Sequence, residues 1–310
     1  MELTTLNLHS LHAARNAAAL YWWQPTGCLQ LRGQDRIAFL QRQTTNDMRR
    51  LTSGGALVTV LTNATARILD VLTVLQPNPE TLLLLPLYPQ ATLRFLKSRI
   101  FFMDKVELTD VSAAYRLAHL FGAHAAQTLS ALGFEPPSEN HFSRNPAESF
   151  AFALHGWRIP AYGLLISADD ASTELARLPE LTSATLESLR LWAGIPGLQA
   201  ELTPEKFTPL EVGLGWAVAE NKGCYTGQEV LARQVTYDKI TRSLVHLHAQ
   251  VALAVGQTIL GAEGKPAGEI TSAAYLPDEG WYALAMLRRP HFEPNIRLST
   301  QAGDTLERIR

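Results

Sequence analysis

The sequence predicts an α+β protein, with mixed helices and strands over residues 1–238 and a small all-β domain over residues 239–310. Three observations carry this. Up to residue 238, segments with apolar side chains at helical spacing alternate with short apolar runs of strand length. After Lys239 the strands shorten and turns crowd in, at Gly256, Gly261-Ala262-Glu263-Gly264, Gly268 and Pro277-Asp278-Glu279-Gly280, which is the rhythm of a small barrel. A chain of 310 residues, 46% hydrophobic and 18% charged, also has apolar side chains enough for more than one core.

The elements follow in order. Leu8, Leu11, Ala14 and Ala18 share a helical face, so residues 1–25 read as one or two helices. Cys28–Leu31 reads as a strand. Asp35–Gln43 reads as an amphipathic helix with Ile37, Phe39 and Leu40 inward, broken by Thr44-Thr45-Asn46-Asp47. Strands Ala56–Thr62 and Arg67–Leu75 form a hairpin around Asn63-Ala64-Thr65-Ala66. Asp70 interrupts the second strand, and either faces solvent at a sheet edge or points into a polar site. A strand at Thr81–Leu85, a helix over Ala91–Ile100 and a strand at Lys105–Leu108 come next. They are followed by a strand at Tyr115–Leu120, a helix over Ala123–Leu132 and a loop from Glu135 to Pro146. Strands Phe150–Leu154 and Leu164–Ser167, helices Ala171–Leu178 and Thr182–Ala193, and a loop over Gln199–Gly215 complete the first region. In the second, Arg242–Ala249 alternates, and His246 and His248 read as ordinary strand surface.

Composition excludes several function classes. With 27 basic and 29 acidic residues there is no general basic field, so backbone-driven nucleic-acid binding has little support and only a local patch stays open. Two cysteines, Cys28 and Cys224, do not make a disulfide scaffold and agree with a reducing compartment. The start, Met1-Glu2-Leu3, lacks a leader's basic and apolar stretches. The most apolar run, Leu82–Leu87, is too short to cross a bilayer. The expectation is a cytoplasmic protein without a membrane partner. There is no phosphate-binding loop, no dinucleotide fingerprint and no metal-site spacing, so no metal is expected.

One stretch stands out: Lys222-Gly223-Cys224-Tyr225-Thr226-Gly227-Gln228-Glu229. Thr226 and Glu229 have capping-box spacing, with Tyr225 and Val230 at the staple positions, so a helix is expected from Gly227. A cysteine before a helix N-terminus, two residues from a lysine, is in the setting that makes a thiol nucleophilic. The competing reading is a small buried hydrophobe.

The same eight residues resemble the hallmark of the YgfZ family of folate-binding proteins, relatives of the glycine-cleavage T-protein (aminomethyltransferase). Lys-Gly-Cys-Tyr-x-Gly-Gln-Glu is matched in full. The likeness extends through Leu31–Asp35, Phe39–Asp47, Lys105–Val111, Leu189–Pro196, Thr208–Leu214 and the C-terminal domain. It implies a ring-like folate-binding α/β region of T-protein type followed by a small C-terminal β-barrel. It also implies a tetrahydrofolate-binding accessory protein that supports assembly or repair of iron–sulfur enzymes, tRNA-modifying ones included. The alternative is a folate-dependent aminomethyltransferase of the glycine cleavage system. The chain departs from the family pattern at Trp192, where relatives often carry Glu, and at Ala66-Arg67, where they often carry Gly-Arg or Gly-Gly.

On this reading Cys224 and Lys222 are the working groups and tetrahydrofolate, or a reduced derivative, is the cofactor. Asp70 or Glu211 would meet the donors on the pterin edge. Tyr162, Trp192 and Tyr225 would wall the aromatic middle, and Arg233 or Arg67 would take the glutamate tail. Partners would be the reduced folate and iron–sulfur client enzymes or assembly factors.

Overall fold

The computed structural model describes residues 6–24, 26–170 and 173–309. In chain order its elements are α1 (Leu8–Asn16), β1 (Ala19–Trp23), β2 (Leu29–Arg32), α2 (Arg36–Gln43), β3 (Ala56–Thr62), β4 (Ile68–Asn78), β5 (Thr81–Pro86), α3 (Pro89–Lys97) and β6 (Glu107–Asp110). They continue with β7 (Tyr115–Phe121), α4 (Ala125–Ala131), β8 (Phe142–Arg144), β9 (Phe150–Ala153), β10 (Ala161–Ser167), α5 (Ser183–Ala193) and α6 (Gln228–Thr236). The last strands are β11 (Arg242–Ala249), β12 (Thr258–Leu260), β13 (Pro266–Leu276), β14 (Gly280–Arg288), β15 (Leu298–Ser299) and β16 (Thr305–Ile309). Two compact units result. One comprises Met1–Thr62, Leu69–Leu186 and Ala217–Thr226, the other Asn63–Ile68, Glu187–Trp216 and Gly227–Arg310.

The first unit holds two five-stranded sheets, ordered β3-β4-β5-β2-β6 and β1-β7-β10-β9-β8. Cys28, Leu75, Leu83, Leu85, Phe150, Phe152 and Leu165 form an apolar layer that joins them. A second layer sets Phe39 and Leu40 of α2 and Leu96 of α3 against Leu31, Leu82 and Leu84. A third sets Ala125 and Leu129 of α4 against Leu120 and Leu164. Strand β5 explains its own leucine run. Successive side chains point to opposite faces, both faces are covered, and all six residues are buried.

In the second unit, β11-β14-β13-β12-β15-β16 close into a barrel. Val245, Leu247 and Ala249 point inward with Ile259, Ile270, Ala283, Ala285 and Leu287. Closure leaves no sheet edge exposed. At Gly268 the β13 backbone comes so near β14 that a Cβ would lie 2.1 Å from the Met286 carbonyl oxygen.

The structure corrects several sequence expectations. Residues 19–23 are an edge strand rather than helix, because Tyr21, Trp22 and Trp23 suit a pleated surface and pair with His119, Ala118 and Leu117 of β7. The loop expected over 135–146 contains β8, which pairs with β9. Of the helix expected over Ala171–Leu178, residues 171–172 lie outside the described residues; the rest makes only a short 3-10 turn at Leu175–Arg177. His246 is not surface: it is buried, with its ring facing Tyr282.

Candidate functional site

The site in the first unit begins where α2 ends. The segment Thr44-Thr45-Asn46 is polar yet buried, at 0, 0 and 4% exposure, so each polar group needs a partner. The Thr45 hydroxyl donates to the Ala217 carbonyl at 2.7 Å and accepts the Val60 N–H at 3.0 Å. The Asn46 side-chain amide donates to the Val58 carbonyl at 2.8 Å. The main-chain carbonyls of Thr44 and Asn46 both accept from the Lys222 ammonium, the second at 2.8 Å.

Gln41, on the last turn of α2, ties this arrangement together. Its Nε2 donates to the Lys222 carbonyl at 2.8 Å and to Asp47 Oδ1 at 3.0 Å, and its Oε1 accepts the Met48 N–H at 2.7 Å. Lys222 is 2% exposed, with its ammonium 4.9 Å from the centre of the Tyr225 ring. Burial pulls the ammonium down to about 8, against the opposing pull of the Asp47 carboxylate. Asp47 is itself held down at about 2, chiefly by its hydrogen bond from Arg49.

Residues 222–226 are therefore pinned at both ends. Lys222 is held as described, and the Thr226 carbonyl accepts from the Thr62 hydroxyl at 2.6 Å. Between these anchors Cys224 is exposed and free, whereas Cys28 is buried in the layer that joins the two sheets. Burial, aided by the charge of Asp110, pushes the Cys28 thiol up to about 12. The capping box does not form. Gly227, with φ of 85°, occupies the N-cap with no side-chain cap, a conformation glycine adopts freely. Glu229 instead pairs with Arg233 one turn on, both exposed.

The remaining predicted residues fall in distinct places. Asp70, 1% exposed, accepts the N–H groups of Val71 (2.7 Å), Leu87 (2.9 Å) and Tyr88 (3.0 Å) and the hydroxyl of Thr92. It faces the interior rather than solvent. Despite four donors, burial raises its carboxyl to about 6. Tyr162 is half-buried against the third apolar layer.

In the second unit Glu211, 3% exposed, accepts from Arg67 at 2.9 Å, from Arg242 at 2.8 Å and from the Thr208 N–H at 2.8 Å. Arg67 thus meets Glu211, and Lys222 meets Tyr225. Ala66, beside Arg67, has φ of 60°, a left-handed conformation that glycine adopts more readily than alanine. A cavity of about 340 Å³ in this unit is lined by Lys206, Phe207, Arg242, Glu269 and Arg288 among others. The sequence reading missed Gln41 and Arg242. A run of polar residues closing an amphipathic helix was the available signal for the first; the second, one arginine at a strand start, gave none.

Residues 5–153 match the family model described as the GCVT N-terminal domain. The chain is 33% identical over 264 residues to a putative chloroplastic transferase of Arabidopsis thaliana, covering 79% of this chain. It spans 59% of that relative's length. It is 27% identical to the tRNA-modifying protein YgfZ of Colwellia psychrerythraea, over 90% of this chain and 88% of the other. It is 25% identical to an aminomethyltransferase of Thermotoga petrophila, over 95% and 82%. The crystal structure of the glycine cleavage system aminomethyltransferase T from Bartonella henselae superposes with a TM-score of 0.83, at 20% identity, covering 98% of this chain and 88% of that one.

Proposed function

We propose a folate-dependent role for this chain, which carries the GCVT N-terminal domain and is of YgfZ type, related to the aminomethyltransferases. It binds tetrahydrofolate or a reduced derivative and acts as an accessory factor for iron–sulfur enzymes, with Cys224 as its working group. The observation that carries this reading is the exposed thiol of Cys224, midway along a segment anchored at Lys222 and Thr226. A rigidly presented thiol can engage an incoming electrophile, sulfur species or cluster with little loss of conformational freedom. Lys222 acts by position: its ammonium is bound to main-chain carbonyls, and it fixes the backbone that carries the sulfur. In the first unit Asp70, Tyr162 and Tyr225, and separately in the second unit Glu211, Arg67 and Arg233, are the candidates for folate contact.

The test has two arms. Calorimetric titration with tetrahydrofolate should show binding, and Cys224→Ser should retain it. In cells that lack the protein, Cys224→Ser should fail to restore iron–sulfur enzyme activity while accumulating normally. No binding heat with any reduced folate, or full rescue by Cys224→Ser, overturns the proposal. Robust production of methylene-tetrahydrofolate from an aminomethyl-lipoyl carrier would replace it with the aminomethyltransferase reading.

A further inference from the structure

In the first unit, the turn between α3 and β6 displays three consecutive large apolar side chains to solvent. Phe101 is 66% exposed, Phe102 97% and Met103 73%. Exposed apolar residues are ordinary when scattered, but three in a row on one turn call for a cover.

The tip is built, not loose. The Asp104 carboxylate accepts the Phe101 N–H at 3.0 Å, and the Asp104 N–H donates back to the Phe101 carbonyl at 2.9 Å. The same carboxylate is held by Arg42 at 2.7 Å. One residue further, the Lys105 N–H donates to Asp35 at 2.9 Å. These bonds fix the turn so that both phenylalanines and the methionine project outward.

The sequence flanking the tip is rich in cations: Arg94, Lys97, Arg99 and Lys105 are all exposed. The acids in reach are Asp104, already matched by Arg42, Glu107, Asp35, which accepts the Lys105 N–H, and Asp110, whose charge Lys97 faces.

Against the expectation of no membrane partner, we infer that Phe101, Phe102 and Met103 form an insertion tip that docks this protein reversibly onto an anionic lipid surface, with Arg94, Lys97, Arg99 and Lys105 on the headgroups. Aromatic and aliphatic side chains backed by Lys and Arg are the composition of interfacial anchors, whose binding scales with buried apolar area plus attraction to anionic lipid. A second copy fits poorly, because an isologous contact would bring the same cations together. Three side chains also fall well short of the roughly 800 Å² per partner of a stable protein interface.

The inference is tested on the full-length protein by vesicle flotation. Vesicles of phosphatidylcholine with phosphatidylglycerol should carry the protein at low salt. Pure phosphatidylcholine should not, and raised salt should release it. Phe102→Asp should abolish flotation with an unchanged melting temperature. Lys97→Glu combined with Arg99→Glu should weaken it by at least about fivefold per cation removed. The proposal is overturned by absence of flotation on anionic vesicles, by flotation that survives Phe102→Asp, or by a concentration-dependent dimer that Phe102→Asp dissolves while flotation is absent.

Discussion

The Lys222 ammonium lies 2.8 Å from the main-chain oxygen of Asn46 and also binds the oxygen of Thr44. A cation on a long side chain is here a structural tie between buried carbonyls and the segment that bears Cys224. Lys222→Met keeps the stem but strands both acceptors. A buried acceptor left without its donor costs about 1–3 kcal/mol. Denaturant unfolding should show a loss of that size. Proteolysis should then cut near residues 222–226 earlier than in the parent, and an unaltered unfolding midpoint would refute the tie.

The two cysteines should separate in a labelling experiment. Cys224 is exposed, while Cys28 is buried and its thiol pushed up to about 12. Native protein at neutral pH should take up one equivalent of iodoacetamide, at Cys224, and the second only after unfolding. Cys224→Ser should leave the native form unreactive with stability within about 0.5 kcal/mol of the parent, as for a surface substitution. Cys28→Ser should cost about 1–3 kcal/mol, because it buries a hydroxyl in an apolar layer. Two equivalents taken up by the native form would count against this arrangement.

What the sequence made legible follows from range. The run Leu82–Leu85 states its own environment, because burial pattern is local; the alternation of Arg242–Ala249 gives the strand and the inward Val245 and Leu247, but not the burial of His246 between them. Cys224 drew notice as one of two cysteines beside two glycines. Strand β1 was hidden because helical spacing in α1 runs straight into Tyr21-Trp22-Trp23, and its partner β7 lies about a hundred residues on. The acceptors of Lys222 are 178 and 176 positions away and are main-chain atoms, which no side-chain pattern announces. Thr226 spelled a capping box, yet Gly227 took the N-cap in a left-handed conformation that the letters permit but do not require.

Glu211 joins two arginines, each with about a third of its side chain exposed, to an almost fully buried carboxylate. Glu211→Gln keeps the shape and removes the charge both guanidiniums face. Solvent reaches the arginines, so screening holds the cost to about 1–3 kcal/mol, below that of a fully buried broken pair. Arg67→Met should cost less than Glu211→Gln, since Arg242 and the Thr208 N–H still satisfy the carboxylate. Thermal melts of the three proteins give the order. If Arg67→Met proves the more damaging, the carboxylate is not the hub.

Asp70 should give the protein a pH signature. Its carboxyl stands at about 6 in the folded chain, against an ordinary value of 3.8, because burial outweighs four donors. Between pH 4 and 6 the folded state retains a proton that the unfolded chain has released. Its contribution to stability is therefore complete below about pH 4 and is lost as pH rises through about 6. The difference between 3.8 and about 6 corresponds to roughly 3 kcal/mol. Asp70→Asn removes this titration, but its amide would face the Tyr88 N–H, two donors opposed, or the Val71 and Leu87 N–H groups if flipped. The variant should be about 1–3 kcal/mol less stable near pH 4, with a gap that narrows toward pH 7. Unfolding free energies at half-unit steps across that window measure the gap, and a gap that stays constant would show that Asp70 does not titrate there.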